Sequence, residues 1–492
     1  MITILEKAKQ NTHRIAILSN DQEYFYSDLI SQSQAFAKQL LAGNDDLQEA
    51  RVAFMIQPGF DYVKVQWAIW QAGGVAVPLC LTHPFPSLQY YIEDTGAKII
   101  IVNKIYASLF ADYCKENNIQ LINIEDERLL IDAKLPVIDR NRRAMILYTS
   151  GTTNKPKGVV TTHANIEAQI KSLVEAWQWA PTDHIICVLP LHHVHGIINV
   201  IGCSLWSGAI CEFLPSFSEE ALFKKFSKGA INVFMAVPTI YFKLIAYLEK
   251  LSPSEQINLK KSMQAFRLMV CGSAALPVTV MEKWELISGH RLLERYGMTE
   301  IGMGLSNPYL GERKAGYVGL PLPGVDVMLA NEQYQAAGLD ELGEILIKGE
   351  AVFIEYWNNP KATEEAFTQN GWFKTGDIAV IENGYYRIMG RNSVDIIKSG
   401  GYKISALEIE EVLRTHEWID DCAVVGIPDD EWGELIVAAL VSSNTQLDTA
   451  QVNQWLRTQM AAYKTPKKYI ILNELPRNAM GKVVKGDVKK LL

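Results

Sequence analysis

Residues 148–158 read Tyr-Thr-Ser-Gly-Thr-Thr-Asn-Lys-Pro-Lys-Gly, and their reading decides the fold. The stretch follows an apolar run, AMILYT (144–149), and precedes a helical pattern that opens near Thr162. Hydroxyls, glycines and two lysines in one strand-to-helix connection suit a loop that wraps phosphates with backbone N–H groups and ammonium charge. It is not a Walker A loop, because Pro156 and Gly158 stand where G-x-x-x-x-G-K-[ST] requires Gly and Ser/Thr.

Around this loop, short Val- and Ile-rich runs alternate with helical periods over roughly the first 330 residues. The runs are RVAFMI (51–56), AKIIIV (97–102), HIICVLP (184–190), INVFMAVP (231–238) and RLMVCG (267–272), and helices are predicted over Phe60–Gln71, Ala164–Trp177 and Pro277–Ile287. That alternation predicts an α/β fold with largely parallel sheets. Beyond residue ~320, denser Gly and Pro and alternating runs such as EILIKG (344–349) predict a small β-rich, barrel-like part. Residues 377–391 read as a hairpin turned by Asn383-Gly384. A short α+β pattern then runs to the end, so we expect a domain over 1–390, a hinge at 391–394 and a small mobile domain over 395–492.

Composition limits the function. The 492 residues carry 47 Lys+Arg against 55 Asp+Glu, a net charge of −8, which argues against non-specific nucleic-acid or anionic-membrane binding. Any polyanionic ligand is then held by a local set of donors. Ile185 to Cys211 lacks charged residues, but Pro190, three histidines and several glycines interrupt it, which predicts buried strand, turn and helix in place of a membrane span. Seven cysteines without a C-x-x-C pair, and a start (MITILEKAKQ) with neither an apolar signal core nor Arg/Ser enrichment, predict a reduced, cytoplasmic chain. His192, His193 and His195 offer three imidazoles, yet no fourth Cys or His lies near enough in sequence to complete a zinc site. A serine-hydrolase G-x-S-x-G is absent, and the nearest dinucleotide pattern, Gly302-x-Gly304, has Asn307 in place of its third glycine.

YTSGTTNKPKG resembles the phosphate loop of the adenylate-forming superfamily of acyl-CoA synthetases, luciferases and peptide-synthetase adenylation domains, with Asn154 where Gly is usual. Further matches follow in order: PLHHVHG (190–196), CGSAAL (271–276), ERYGMTE (294–300), KTGD (374–377), GRNSVDIIKSGGYKIS (390–405) and PRNAMGK (476–482). The resemblance implies that a carboxylate attacks the α-phosphate of ATP, expelling pyrophosphate, and that a thiol then displaces AMP from the acyl-adenylate. Such chemistry is dominated by positioning and charge stabilisation.

By the same resemblance, Thr149, Ser150, Gly151, Thr152, Thr153, Lys157 and Thr299 face phosphate, and Glu300 ligates Mg²⁺. Gly272, Ser273 and Ala274, with Glu294, Arg295, Tyr296, Gly297 and Met298, line the nucleotide, Tyr296 against adenine. Asp377 and Arg391 hold the ribose. Lys482 reaches carboxylate and α-phosphate during adenylation. Rotation about Asn392, Ser393 or Val394 then exchanges it for a coenzyme A face built from Lys398, Ser399, Gly400 and Gly401. His193 gates the acyl pocket, with Ser273 and Met298 beside it.

Coenzyme A is the expected thiol, a stand-alone enzyme loading a carrier protein being the other option. The motifs resemble most the malonyl-CoA and methylmalonyl-CoA synthetase branch, in which Arg267 and Arg313 match arginines that would grip the second carboxylate. Another short- or medium-chain, fatty or aryl monocarboxylate is the alternative acid. A monomer or homodimer is expected.

Overall fold

The computed structural model of the protein describes residues 2–126, 133–149, 155–214, 216–338, 340–392, 394–444, 446–477 and 482–492. The expected α/β architecture is present. Strands Arg51–Met55, Val75–Pro78, Ile99–Val102, Gln120–Asn123 and Arg143–Thr149 pair in parallel in a seven-stranded sheet, which Lys157–Thr162 and Glu355–Tyr356 extend antiparallel. A second, nine-stranded sheet runs from Leu320–Pro321 through Gly302–Ser306, Leu293–Met298, Leu268–Cys271, Val233–Ala236, His184–Cys187 and Ile210–Phe213 to Ile15–Ser19 and Gln22–Phe25. Its centre is parallel and its ends turn antiparallel.

Helix Phe60–Gln71 buries ten of its twelve residues, so it has no wet face. A helix apolar all round must lie inside, and this one touches strands of both large sheets, as does helix His163–Ala176. The latter begins where its capping chemistry dictates: Thr162 Oγ1 accepts the Asn165 N–H at 3.1 Å, while Asn165 Oδ1 accepts the Thr162 N–H at 2.8 Å. Fully buried Trp67 and Trp177 anchor the core between the sheets.

The histidine-bearing apolar stretch resolves into strand His184–Cys187, a π-helix over His195–Gly202 that continues as helix Cys203–Trp206, and strand Ile210–Phe213. Sequence periodicity does not anticipate the wide π turn, which occurs mostly at functional sites. No helix among the described residues is long and apolar enough to cross a membrane.

The β-rich part is a four-stranded antiparallel sheet, Asp326–Ala330, Gly343–Lys348, Phe373–Glu382 and Tyr385–Arg391. Its final hairpin turns on Asn383 and Gly384, both at positive φ (52° and 80°), as a primed turn demands. The remaining sheet joins Ile396–Ser399, Tyr402–Ser405, Asp421–Asp429, Gly433–Val441 and Lys468–Leu472, with its own core of Ile397, Ile404, Val424, Ile436 and Leu456.

Candidate active site

The matched motifs converge where strands of the second sheet end. Strand Leu268–Cys271 runs into Gly272-Ser273, strand Leu293–Met298 into Thr299-Glu300, and His184–Cys187 leads towards His192–His195. The crevice beyond the carboxyl ends of parallel strands is where open α/β sheets bind ligands.

Its floor is a charge without a counter-charge. Arg295 is 3% exposed, and its Nη2 donates to Ser273 Oγ at 3.2 Å. Its Nε–H has no partner, and no carboxylate among the described residues lies within ion-pair distance. Burial pulls its pKa down to about 10, against the attraction of Glu294. Glu294 is pushed up to about 8 by its own burial, although Oε1 accepts the Leu276 N–H at 3.1 Å. Gly272 lies flat against the guanidinium: a Cβ there would stand 2.8 Å from three of its atoms. Ser273 adopts φ 71°, a costly backbone for a residue with a side chain, and that turn lets its Oγ meet both Arg295 and His195 Nδ1, the latter at 3.2 Å. His195 is buried, its Nε2 is unpartnered, and burial with the nearby Arg295 keeps the imidazole neutral.

His193 is neutral for a related reason. Desolvation, then the charges of Lys482 and His83, depress it to about 4. Lys482 thus lies within electrostatic reach of His193. Its own pKa is lowered by desolvation, then by Arg391 and Arg295, with Asp377 pulling the other way. Its side chain remains reachable by solvent.

On the opposite wall, Tyr296 Oη donates to Asp377 Oδ2 at 2.5 Å and Arg391 Nε to Asp377 Oδ1 at 3.1 Å. Asp377 and Arg391 face each other across adjacent strands. Glu300 is buried and its pKa raised by desolvation, which the phenol of Tyr356 partly offsets by donating to Oε1 at 2.9 Å. Lys157 Nζ lies 4.9 Å from the centre of the same Tyr356 ring. Sequence reading missed Tyr356, because nothing in E-Y-W (355–357) marks it until strand Glu355–Tyr356 pairs beside strand Lys157–Thr162. Gly297 is required by packing: a Cβ would sit 2.1 Å from the Gly302 carbonyl oxygen. Of the expected phosphate-loop residues, Thr149 ends strand Arg143–Thr149, and Ser150, Gly151, Thr152 and Thr153 lie outside the described residues.

Two assignments are corrected. Arg267 is not free to grip a substrate: Nε and Nη2 each donate to Asp183, at 2.6 Å, and Nη1 to the Trp177 carbonyl at 2.9 Å. A bidentate ion pair to a carboxylate that is 1% exposed consumes the guanidinium. Arg313 is occupied by the carbonyls of Arg291 (2.7 Å), Tyr309 (3.1 Å) and Pro308 (3.4 Å). Its own carbonyl in turn accepts from Arg291 Nε at 2.5 Å. Arg267 is thus ion-paired and Arg313 donates to carbonyls, while Arg295, which sequence reading placed with the nucleotide, is a buried cation with a donor unspent. The signal was there: Glu294 and Arg295 are successive charges in a strand buried from Leu293 to Arg295, and such residues are almost never fully buried unless paired.

Lys398, Ser399, Gly400 and Gly401 lie on the hairpin Ile396–Ser399/Tyr402–Ser405. Lys403 on this hairpin pairs with Glu332 of the β-rich part at 2.7 Å, and a Cβ on Gly400 would meet the Trp432 ring. Among the described residues no group of three or more His, Cys, Asp or Glu could hold a metal ion, the histidine trio included.

Comparison with known proteins identifies the family. The family model for AMP-binding enzymes matches residues 4–357, and that for the AMP-binding enzyme C-terminal domain matches 408–482. The chain is 43% identical to the mitochondrial malonate–CoA ligase ACSF3 of Bos taurus, covering 97% of this chain and 88% of that one. It superposes on ATP-bound MatB from Rhodopseudomonas palustris at TM-score 0.89 and 30% identity, covering 100% and 98% of the two chains. On a malonyl-CoA ligase with methylmalonyl-CoA and AMP bound the score is 0.71 at 32% identity, covering 97% and 100%.

These relatives correct the expected compartment. The Bos taurus name, like those of the Xenopus laevis, Homo sapiens and Mus musculus relatives, carries the word mitochondrial, which points to mitochondria and away from the cytoplasm. Free thiols and net charge report a reducing, aqueous surrounding, and a compartment is written in targeting signals that the folded body does not record. On the extent of the family match, the ordered motifs and the crevice they build, the chain belongs to the AMP-binding enzyme family.

Proposed function

We propose that this chain is an ATP-dependent malonate–CoA ligase, with methylmalonate the nearest alternative acid. Malonate attacks the α-phosphorus of ATP, pyrophosphate leaves, and the thiol of coenzyme A then attacks the malonyl carbonyl and releases AMP. The observation that carries this reading is Arg295, a buried guanidinium with an unpartnered N–H and no carboxylate of its own. An isolated buried charge is costly, and a dicarboxylic acid supplies what is missing. One carboxylate would pair with Arg295, Ser273 and neutral His195, leaving the other near Lys482 and His193.

The remaining residues divide the nucleotide between them. Asp377, held by Tyr296 and Arg391, presents acceptors suited to ribose hydroxyls, while Lys157 and Lys482 bring positive charge to the phosphates. Glu300 offers its second oxygen to Mg²⁺. One carboxylate alone is a poor cage, and Mg²⁺ characteristically shares one or two carboxylates with substrate phosphates. The metal would neutralise phosphate charge; Glu300 and Tyr356 orient it.

We further propose that the chain works as two bodies, 1–390 and 395–492, joined by a hinge at 391–394. Lys482 serves adenylation, and Lys398–Gly401 comes to the crevice for thiol transfer. Supporting this is the better superposition on the ATP-bound relative than on the product-bound one at similar identity.

The deciding experiment measures acid-dependent AMP formation with malonate, methylmalonate, succinate, acetate and octanoate, for the wild type and Arg295→Leu. Malonate should lead by at least ~10²-fold in kcat/KM, since a monocarboxylate leaves the guanidinium unpaired, and Arg295→Leu should remove that preference. Comparable rates on octanoate and malonate would refute the dicarboxylate reading.

A further inference from the structure

Lys485, three residues beyond Lys482, is not a tail charge. It is 8% exposed, and its Nζ lies 2.6 Å from Asp395 Oδ1 and 2.7 Å from Glu410 Oε1. Burial works against the ammonium, yet Glu410 and Asp395 hold its pKa above the ordinary lysine value. Glu410 belongs to helix Ala406–Leu413, where Oε1 also accepts the Val424 N–H at 2.8 Å and Oε2 meets Arg414 at 3.3 Å. Asp395 is the first residue beyond the proposed hinge, on the small-body side.

The hinge is closed by a two-way clasp. Asp395 Oδ2 accepts the Arg391 N–H at 3.0 Å, and the Asp395 N–H donates to the Arg391 carbonyl at 2.8 Å. Arg391 in turn binds Asp377. A continuous chain therefore links the proposed ribose acceptor, through Arg391 and Asp395, to Lys485 and the segment that carries Lys482.

We propose that Lys485 is a positioning residue for adenylation: by fixing the Asp395 carboxylate in its clasp on Arg391, it holds the small body where Lys482 reaches the crevice. A turn at Asn392–Val394 breaks the Oδ2–Arg391 contact, because Arg391 and Asp395 flank those residues. Lys485 and Glu410 travel with Asp395, so the ion pair itself survives the turn. Loss of Lys485 thus weakens one of the two working positions and leaves the other untouched.

This inference rests on the two-position reading. Its test separates the half-reactions in the full-length enzyme: malonate-dependent ATP–pyrophosphate exchange, and conversion of preformed malonyl-adenylate to malonyl-CoA. Lys485→Met should slow exchange about tenfold with the KM for ATP little changed, keep the thiol step within twofold, and recover exchange as Lys485→Arg. Asp395→Asn, whose side chain is only partly buried, should shift the ratio of half-reactions in the same direction, and serves if Lys485→Met does not fold. Glu410→Gln, which cuts the network on the small-body side alone, should lower Tm without moving that ratio. Equal loss of both half-reactions in Lys485→Met and Asp395→Asn, tracking Tm, would overturn the proposal. Wild-type enzyme without malonate-dependent exchange would instead refute the substrate reading, and the same ratio is then read with the acid that does support exchange.

Discussion

Tyr296 donates its phenolic hydrogen to Asp377 across 2.5 Å, joining a strand of the nine-stranded sheet to the β-rich part. The bond leaves Asp377 with one oxygen towards Tyr296 and the other towards Arg391 at 3.1 Å, so the carboxylate is held at a fixed angle over the crevice. Tyr296→Phe removes that donor while keeping the ring. The KM for ATP should rise about three- to tenfold, the worth of one ordinary hydrogen bond, with kcat changed less. An unaltered KM would show that Asp377 is positioned by Arg391 alone.

Arg267 and Asp183 make the opposite kind of prediction. Arg267→Ala strands a nearly fully buried carboxylate, and breaking one side of such a pair costs about 3–5 kcal/mol. Thermal stability should fall sharply while the KM for malonate, measured below the melting transition, stays at the wild-type value. A selective rise in that KM would restore Arg267 to the substrate site.

Lys482→Ala should abolish malonate-dependent ATP–pyrophosphate exchange, a loss of about 10²–10³ for a donor aimed at developing charge. Preformed malonyl-adenylate should still react with coenzyme A. Equal loss in both half-reactions would sink the two-position reading.

Acid should destabilise the fold through its imidazoles. His163 is depressed to about 3 and His192 to about 3, in each case by desolvation first, and His193 to about 4. An unfolded histidine takes its proton near 6.5, so between that value and about 4 the unfolded chain binds more protons than the native one. Stability therefore rises with pH in this window: the contribution is complete above pH 6.5 and is lost as pH falls through the native values. Glu294, whose carboxyl burial raises to about 8, opposes this trend between about 4.5 and 8, so wild-type Tm should drop below 6.5 by less than the imidazoles alone dictate. In His163→Gln, remote from the crevice and edge-on to Trp70, the drop should be shallower. Parallel Tm profiles for the two proteins would rule His163 out as a contributor.

Much of the architecture is legible from local chemistry. Helix Phe60–Gln71 is found over the residues its pattern marks, and the Asn383-Gly384 turn and the Thr162 cap follow from what those side chains and backbones can do next to their neighbours. The π-helix at His195 was not legible, because its eight residues are all buried and so leave no alternation of wet and dry positions to read a period from.

By itself, then, the sequence determined the α/β order, the ordered motifs and the family. Those depend on neighbouring residues and on short strings whose backbone needs are local. Only the tertiary structure decided which arginine is available. Arg267 is neutralised by Asp183, 84 positions earlier in the chain, and Arg313 spends its donors on carbonyls that meet it across a loop. Arg295 alone of the three lies buried against Gly272 and Ser273 with an N–H unspent. Whether a charge is paired is a fact about distance in space, and distance in space is what a linear string does not carry.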